Sequence, residues 1–542
     1  MPANSDKSRK SRRRVERPVR SEGTFDPATL DKTIIALPLL REMERMEKQA
    51  PAGGMVEAID VIIDVNLAFP RGRQSARSAV LALISETIKD GPGRLYEAKN
   101  QYSDQYVFAS LTPSQIRSLA GAHLGPPGED GTRSGAADNC VIYKIWLDHA
   151  TGFLTSKSIS TVKADAARSA FGALGDGIVW AVLDTGVDEN HPHFELHDTL
   201  GLDPPLEHKD FSSEAGIASG TAGDRNPALI DEAGHGTHVA GIISGEFQAG
   251  PGGRLVGGTK QDEAGRIAST TRHFSEDGSP EEEVEESDSG AMSGMAPLTK
   301  ILSLKVLNKD GGGNVSNILA ALEYIQQLNS YGRNLVVHGV NLSVGYSFEP
   351  AWFACGQSPI CVEVDRLVRS GVVVVVAAGN TGYGYNQPAG GGPRSAGLDI
   401  SINDPGNAEL AITVGATHRE MPHMYGVSYF SSKGPTGDGR LKPDLVAPGE
   451  KIVSCASGDV SGNQRQAEGG VVVARYIEDS GTSMAAPHVS GVIAAFLSIR
   501  REFIGRPERV KEIFLGTATN LERAVYFQGR GLVDLMRAIQ SV

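Results

Sequence analysis

The sequence has few cysteines and no long apolar run, and each absence excludes a class of protein. Four cysteines in 542 residues cannot form the disulfide scaffold of a small secreted domain. Cys355 and Cys361 are close enough in sequence to bridge across a loop, and the alternative is two ordinary thiols. The longest apolar runs, such as residues 371–379, have the length of a strand, whereas a membrane-spanning helix needs roughly 20 residues. The sequence therefore predicts no membrane span.

A secretory signal is also missing, and basic residues dominate only at the amino terminus. No apolar segment of signal-peptide type is found there, which predicts a cytoplasmic protein; export by an unconventional route and a missing upstream start are the alternatives. The formal net charge of −13 argues against nucleic acid as a partner of the whole chain. Residues 1–20 carry eight Lys or Arg against two acidic residues. We interpret residues 1–25 as a basic disordered tail, with contact to an anionic surface or nucleic acid as the alternative.

Residues 481–488 (GTSMAAPH) place a serine at the start of a predicted helix. Gly481 lets the backbone turn tightly, Thr482 and Ser483 supply hydroxyls typical of helix starts, and residues 489–499 continue at helical spacing. A serine hydroxyl becomes a strong nucleophile only when a neighbouring base takes its proton and an acid orients that base. If Ser483 is a nucleophile, the chain must also supply a histidine, a carboxylate and a donor for the oxyanion.

The chain supplies these groups at the ends of apolar strands and at a second helix start. Asp184 directly follows the apolar run 178–183, and Asn380 follows the run 372–378 closely. Sites in open α/β sheets form at the carboxyl ends of parallel strands. His235 stands at a predicted helix start, between glycines that allow close approach of other groups. The Asn380 amide is of the kind that donates to a developing oxyanion.

These segments, with the order Asp, His, Ser, resemble those of the subtilisin-like serine proteases over about residues 177–535. The resemblance implies an α/β fold with a doubly wound, mostly parallel sheet and helices on both faces. It implies a serine endopeptidase that acts on proteins or peptides through an acyl-enzyme intermediate, with no cofactor in the chemistry. Ser483 would be the nucleophile, His235 the general base, Asp184 the group that fixes the imidazole tautomer, and Asn380 the oxyanion donor. The alternative is a latent protease or a pseudoprotease binding module with the same fold.

The same resemblance assigns two segments to an extended substrate. Residues 311–316 (GGGNVS) and 341–345 (NLSVG) would flank a peptide that adds as a strand, with ordinary loop glycine as the alternative for the first. Two further small residues would line the primary specificity pocket and leave room for a large apolar or aromatic side chain. The predicted substrate-binding residues are Gly313, Asn314, Ser343, Val344, Gly345, Ala378 and Gly379.

The elements predicted before the protease-like region form a separate small domain. Strands and helices alternate over residues 55–148 in an order that resembles the family's inhibitory propeptide, a small ferredoxin-like α+β fold. This domain would act as an intramolecular inhibitor, and a permanent accessory domain is the alternative. A helical segment and linker, 26–54, precedes it. Residues 149–161 form a linker in which we predict self-cleavage, and the catalytic domain spans residues 162–542.

Two features count against a calcium site of the family in this chain. Many relatives place an aspartate ligand directly after a His-Pro pair, and this chain has His193 there. Another calcium loop is expected after the His235 helix, where residues 246–293 form an acidic insertion. Eight carboxylates between positions 276 and 288, with no basic residue, predict a mobile surface loop; weak calcium binding and self-processing are the alternatives. Structural calcium is therefore left open, and no metal ligand is assigned.

Overall fold

The computed structural model describes most of the chain in two compact units, residues 1–40 with 50–146 and residues 41–49 with 147–542. The described residues are 34–49, 58–67, 69–89, 91–100, 103–122, 140–147, 155–212, 225–251, 254–256, 259–261, 264–274, 280–348, 354–386, 394–457 and 471–542. The predicted basic tail lies outside these ranges, as does the predicted linker up to residue 154.

The first unit contains a small α+β fold around a four-stranded sheet. Helix α1 (Leu37–Gln49) comes first along the chain, and its residues 41–49 belong to the second unit. The following elements are β1 (Ile59–Val65), α2 (Arg73–Thr87), β2 (Arg94–Leu95), α3 (Glu97–Asn100), β3 (Tyr106–Leu111), α4 (Pro113–Ala122) and β4 (Ile142–Leu147). The sheet order is β2-β3-β1-β4, and β1 is antiparallel to β3. The longer strands and helices follow the order predicted from the sequence.

Alternation along β1 explains how this sheet is covered. Ile59, Val61 and Ile63 are buried, whereas Asp60 is exposed. This alternation is expected for a strand with one face on a core. Helix α4 begins with a reciprocal cap, in which the Gln115 amide N–H donates to Thr112 Oγ1 and the Thr112 N–H donates to Gln115 Oε1. The start of α4 therefore has a local cause.

The second unit is built around a seven-stranded sheet in which every pairing is parallel. The strands of the unit are β5 (Val179–Asp184), β6 (Lys209–Asp210), β7 (Glu246–Ala249), β8 (Arg254–Val256), β9 (Thr259–Gln261), β10 (Ala264–Phe274), β11 (Pro280–Ser287), β12 (Gly290–Ser293), β13 (Lys300–Lys305), β14 (Gly339–Leu342), β15 (Val373–Ala377), β16 (Tyr383–Asn386), β17 (Arg394–Gly397), β18 (Ile412–His418), β19 (Leu445–Glu450), β20 (Ile452–Cys455) and β21 (Val471–Asp479). The order in the large sheet is β19-β18-β15-β14-β5-β13-β6.

Helices cover both faces of this sheet, as predicted for a doubly wound α/β fold. The helices are α5 (Thr155–Thr161), α6 (Ala164–Phe171), α7 (His235–Ile243), α8 (Val315–Leu328), α9 (Pro359–Arg369), α10 (Pro422–Tyr425), α11 (Thr482–Ile499), α12 (Pro507–Thr517), α13 (Val525–Gln528) and α14 (Leu535–Gln540). In β5, Trp180 and Val182 pack in one apolar cluster with α7 and α11. Ala181 and Leu183 pack in a second cluster with α8 and α9, because successive strand residues face opposite sides.

Helix α11 is the central helix of the second unit and contacts five strands of the large sheet. With 18 residues, it is long and apolar enough to cross a membrane, yet 83% of it is buried inside the structure. A core helix of a folded domain has the same length and composition, so α11 gives no evidence of a membrane span. Among the described residues it is the one helix of this kind.

The described part of residues 246–293 forms strands, which corrects the prediction of a mobile surface loop. Strand β10 pairs antiparallel with β11 and parallel with β21, in a second sheet of order β11-β10-β21-β20. Ile267 of β10 is buried. Arg266 forms ion pairs with Glu286 at 3.2 Å and Asp288 at 2.6 Å. The acidic side chains of β11 thus pair with basic side chains of β10, which lies before the acidic stretch 276–288.

The described part of the predicted linker is also helical. Residues Thr155–Thr161 form α5, in which Ser158 and Ile159 are buried. The Thr161 hydroxyl donates a hydrogen bond to the backbone oxygen of Arg419. Because proteases cut exposed, extended chain, this helix is a poor cleavage site. A cleavage site in the linker is therefore expected before residue 155.

Cysteines in the structure are free thiols. Cys361 is fully buried among the apolar residues of α9, and burial raises the pKa of its thiol. Cys355 lies instead beside Arg440, which contacts its Sγ at 3.9 Å. The two side chains thus have different surroundings, and the structure contains two ordinary thiols instead of a Cys355–Cys361 disulfide.

Candidate active site

Asp184 and His235 meet where the end of β5 faces the start of α7. Asp184 is the last residue of β5 and is fully buried, and His235 is the first residue of α7. A Cβ at Gly236 would lie 2.1 Å from the Gly186 oxygen, so only glycine allows this approach. Nδ1 of His235 donates to Oδ1 of Asp184 at 2.7 Å. This bond keeps a proton on Nδ1 and leaves Nε2 as the basic nitrogen of the ring.

The charges around His235 favour its protonated form. Burial lowers the pKa of His235, but attraction to Asp184, with smaller contributions from Asp479 and Asp231, outweighs it and raises the pKa to about 9. His238 stays neutral because burial lowers its pKa. The side chain of His235 is 30% exposed and lines the cleft. The arrangement stabilises the imidazolium that a general base becomes during reaction.

Ser483 lies in the first turn of α11, and its hydroxyl is held by the neighbouring strand end. Its Oγ donates to the backbone oxygen of Ser343 at 3.1 Å, while Oγ of Ser343 donates to the Ser483 oxygen at 2.9 Å. The Ser483 hydroxyl therefore does not donate to His235, although both residues line one cleft. Rotation about χ1 moves a serine hydroxyl between staggered positions, and catalytic hydrogen bonds often tighten only when substrate binds.

Asn380 is fixed by the residue that precedes the serine. Its Oδ1 accepts hydrogen bonds from the backbone N–H and from Oγ1 of Thr482, each at 2.9 Å. The Thr482 hydroxyl in turn accepts from the Gly379 N–H at 3.1 Å. With the oxygen of the amide bound to Thr482, the Nδ2 donor is the end turned away from Thr482. This orientation suits a donor for negative charge that develops beside Ser483.

His235, Asn380 and Ser483 border a cleft of about 1040 Å³. Six of the predicted substrate-binding residues also line it, namely Gly313, Asn314, Ser343, Val344, Gly345 and Gly379. Ala378 does not: it is fully buried. Ala377 lines the cleft in its place, because neighbouring residues of an extended strand point to opposite sides. Six of the seven predicted substrate-binding residues therefore line the cleft, and Ala378 is not among them.

Other residues of the cleft were not predicted. They include Glu232, Leu307, Asp310, Ile318, Tyr346 and Asn403. Several of them flank the glycine segment 311–313, so their nearness to that segment was an available signal. Asn403 gave no such signal, because its contact with the site, a hydrogen bond from its N–H to the Ala378 oxygen, joins residues that are distant in sequence.

His193, at the expected calcium position, makes contacts of another kind. It is buried, its Nε2 donates to the Ser244 oxygen at 3.0 Å, and its Nδ1 accepts from Oη of Tyr476 at 3.1 Å. Burial lowers the pKa of His193 to about 3, so the ring is neutral. Calcium takes oxygen ligands, and the described residues contain no group of three or more His, Cys, Asp or Glu that could hold a metal ion. The residues at this position therefore do not fit calcium.

Comparisons with known proteins show the family of the chain. The chain matches the model of the subtilase family, Peptidase_S8, over residues 175–531. It is 28% identical over 414 residues to serine protease AprX of Bacillus subtilis, covering 75% of this chain and 72% of that protein. Subtilisin E of the same organism is 26% identical over 382 residues, 70% of each chain. Pyrolysin of Pyrococcus furiosus is 32% identical over 279 residues, which are 45% of this chain and 17% of pyrolysin.

Proposed function

Because the chain belongs to the subtilase family and is a serine endopeptidase, we propose that Asp184, His235 and Ser483 form its catalytic triad. The observation that carries the proposal is the 2.7 Å bond from His235 Nδ1 to the buried Asp184, made beside the cleft that contains Ser483. A carboxylate, an imidazole and a hydroxyl in this relation are the groups that activate a serine for acyl transfer.

In the proposed mechanism, Ser483 first rotates away from the Ser343 oxygen. Its Oγ gives a proton to Nε2 of His235 and attacks the carbonyl carbon of the scissile bond. Asp184 stays ionised and stabilises the imidazolium. His235 then protonates the leaving amine, which leaves an acyl group on Ser483. Water, activated by His235 in the same way, hydrolyses this acyl-enzyme.

Asn380 and the start of α11 would hold the oxyanion. The Nδ2 group of Asn380 and the backbone N–H of Ser483 are its two proposed donors, and the positive end of the α11 dipole adds to their field. Thr482 supports both, since it anchors Oδ1 of Asn380 and immediately precedes Ser483. The donors are therefore oriented before substrate binds, which is what makes such donors effective.

Substrate would bind as an extended strand between residues 311–314 and 343–345. Both segments line the cleft, and backbone hydrogen bonds of this kind give affinity with little dependence on sequence. The small Ala377 and Gly379 leave space beside Ser483 for a large apolar or aromatic side chain. The chemistry uses only these protein groups and needs no cofactor.

We further propose that the first unit is a propeptide that inhibits the enzyme until it is removed. Its support is the order of strands and helices in the unit and its position directly before the protease region. Self-cleavage is expected before residue 155, where helix α5 begins. A permanent accessory domain would show the same elements but would stay attached in the active protein.

The triad is tested with wild type, Ser483→Ala and Ser480→Ala. Ser480 is the matched control, because it is exposed and lies outside the cleft. Wild type and Ser480→Ala are expected to hydrolyse a chromogenic peptide and to be labelled at Ser483 by a fluorophosphonate, whereas Ser483→Ala does neither. Folded wild type that binds peptides without turnover or labelling would instead support a pseudoprotease, and full activity in Ser483→Ala would overturn the triad.

A further inference from the structure

A second buried carboxylate, outside the proposed triad, lies beside the triad histidine. Asp231 is 3% exposed and precedes α7 in the chain. Its Oδ1 accepts from Thr185 Oγ1 and from the Gly234 N–H, both at 2.8 Å. Its Oδ2 accepts from the N–H of Thr237 at 2.8 Å and from Oγ1 of Thr237 at 2.6 Å. Four short bonds on one buried carboxylate exceed what a helix cap needs, since a cap side chain accepts one or two.

The two threonine hydroxyls extend these contacts to both sides of the site. Thr185 directly follows Asp184, and its Oγ1 accepts from the N–H of Gly236, next to His235. The Thr185 N–H itself donates to Oδ1 of Asp184 at 2.8 Å, the oxygen that His235 contacts. Through Thr185, the contacts of Asp231 therefore reach both Asp184 and the residue next to His235, on the two sides of the Asp184–His235 hydrogen bond.

We propose that Asp231 is a positioning residue of the endopeptidase, which fixes Asp184 and His235 relative to each other and stabilises the imidazolium at a distance. The inference rests on the proposed triad. It adds a fourth residue that touches neither substrate nor the reacting atoms and acts through Thr185 and the first turn of α7.

The charged neighbours of His235 define what the removal of Asp231 does. Asp184 at the end of β5, Asp479 at the end of β21 and Asp231 before α7 all raise the pKa of His235, while His238 on α7 is a neutral neighbour. Removing one of three negative charges therefore lowers the pKa of His235. Substitution of a buried carboxylate outside this cluster would leave the pKa of His235 unchanged.

Asparagine at position 231 cannot reproduce the contacts of the carboxylate. Each oxygen of Asp231 accepts from a backbone N–H, Gly234 on one side and Thr237 on the other. In either orientation of an asparagine amide, its NH₂ group would therefore face a backbone N–H that cannot turn away. Asp231→Asn thus keeps the size of the side chain, removes the charge and breaks one half of the network.

The test compares Asp231→Asn with Asp365→Asn in the full chain. Asp365 is the matched control, because it is also a buried carboxylate that accepts a backbone N–H, from Leu410 at 2.9 Å, but lies outside the cleft. We expect Asp231→Asn to lower kcat about 10- to 100-fold per fluorophosphonate-reactive site, the scale of a misplacement of about 1 Å, with KM nearly unchanged. Its acid limb of kcat/KM should move to lower pH. Asp365→Asn should keep the wild-type limb and kcat per site.

Thr185→Val and Thr185→Ser test the same connection if Asp231→Asn fails to fold. Valine removes the hydroxyl that joins Gly236 to Asp231, and serine retains it, so we expect kcat to fall in Thr185→Val and to recover in Thr185→Ser. The proposal is overturned if folded Asp231→Asn keeps the wild-type acid limb of kcat/KM and the wild-type kcat per site. If Asp231→Asn does not fold, the same result in Thr185→Val overturns it. Full activity in Ser483→Ala would overturn the triad itself, so the two failures are distinguishable.

Discussion

Replacement of Asn380 tests the proposed oxyanion donor and separates the two ends of its amide. Oδ1 accepts two hydrogen bonds of 2.9 Å from Thr482, and Nδ2 is the proposed donor. Asn380→Ala removes both ends. Asn380→Asp keeps an oxygen for Thr482 but puts a carboxylate oxygen where the donor was. Both variants therefore lose the proposed oxyanion donor, but only Asn380→Ala also loses the oxygen that accepts hydrogen bonds from Thr482.

The expected magnitudes follow from these contacts. Loss of one oxyanion donor in subtilisin lowers kcat by about 10²–10³, and we expect the same range for Asn380→Ala. Asn380→Asp should fall at least as far, because its negative charge repels the oxyanion. Each hydrogen bond contributes about 0.5–1.5 kcal/mol to stability, so Asn380→Ala should lose about 1–3 kcal/mol of unfolding free energy that Asn380→Asp retains.

The assay has two parts. Steady-state hydrolysis of a chromogenic peptide gives kcat and KM, and denaturant unfolding of both substitutions in a Ser483→Ala background gives stability without self-digestion. A kcat within tenfold of wild type in either variant would refute the donor role of Asn380. Equal unfolding free energies for the two variants would refute the anchoring of Oδ1 by Thr482.

Four other outcomes are expected. The ion pair with Asp184 raises the pKa of His235 to about 9, above the ordinary 6.5. We therefore expect kcat/KM to fall on the acid side of a midpoint above pH 6.5, and a midpoint below pH 6.5 would contradict the ion pair. Burial lowers the pKa of His191 to about 4 and of His193 to about 3, so unfolding takes up protons below about pH 6.5, and the unfolding temperature should drop between pH 6.5 and 4; a flat profile is the contrary result. EDTA should leave the unfolding temperature unchanged, and a clear decrease would point to a calcium ion bound elsewhere. Wild type should show an intact-mass product cut before residue 155 that Ser483→Ala lacks; an uncut wild type would favour a permanent domain.

The large sheet and the principal residues of the site could be predicted because their signals are local. Apolar runs predicted β5 and β15, and the residue that follows each run, or lies close behind it, belongs to the site. Ser483 and His235 are in the first turns of their helices, as the glycine and hydroxyl pattern indicated. The family motif supplied the pairing of these segments, which no single segment contains.

The remaining features depend on contacts between distant residues or on the register of a strand. Strand β10 pairs with β21, about 200 positions later, so the count of charges in the insertion could not reveal the sheet. The prediction for the specificity pocket named Ala378, whereas Ala377 lines the cleft. An apolar run gives the position of a strand but not which of its residues face the cleft. The role proposed for Asp231 depends on hydroxyl contacts that have no signature in sequence.

The strand β21, which precedes Ser483 in the chain, joins the insertion to the candidate site. Three buried histidines, His191, His193 and His238, contact the consecutive β21 residues Arg475, Tyr476 and Ile477, respectively. His191 and His238 donate to backbone oxygens, and His193 accepts from the tyrosine hydroxyl. A neutral imidazole supplies these donors and acceptors without placing a charge in the interior. Since β21 ends only a few residues before Ser483 and also pairs with β10, the insertion and the buried histidines belong to the framework that positions the serine.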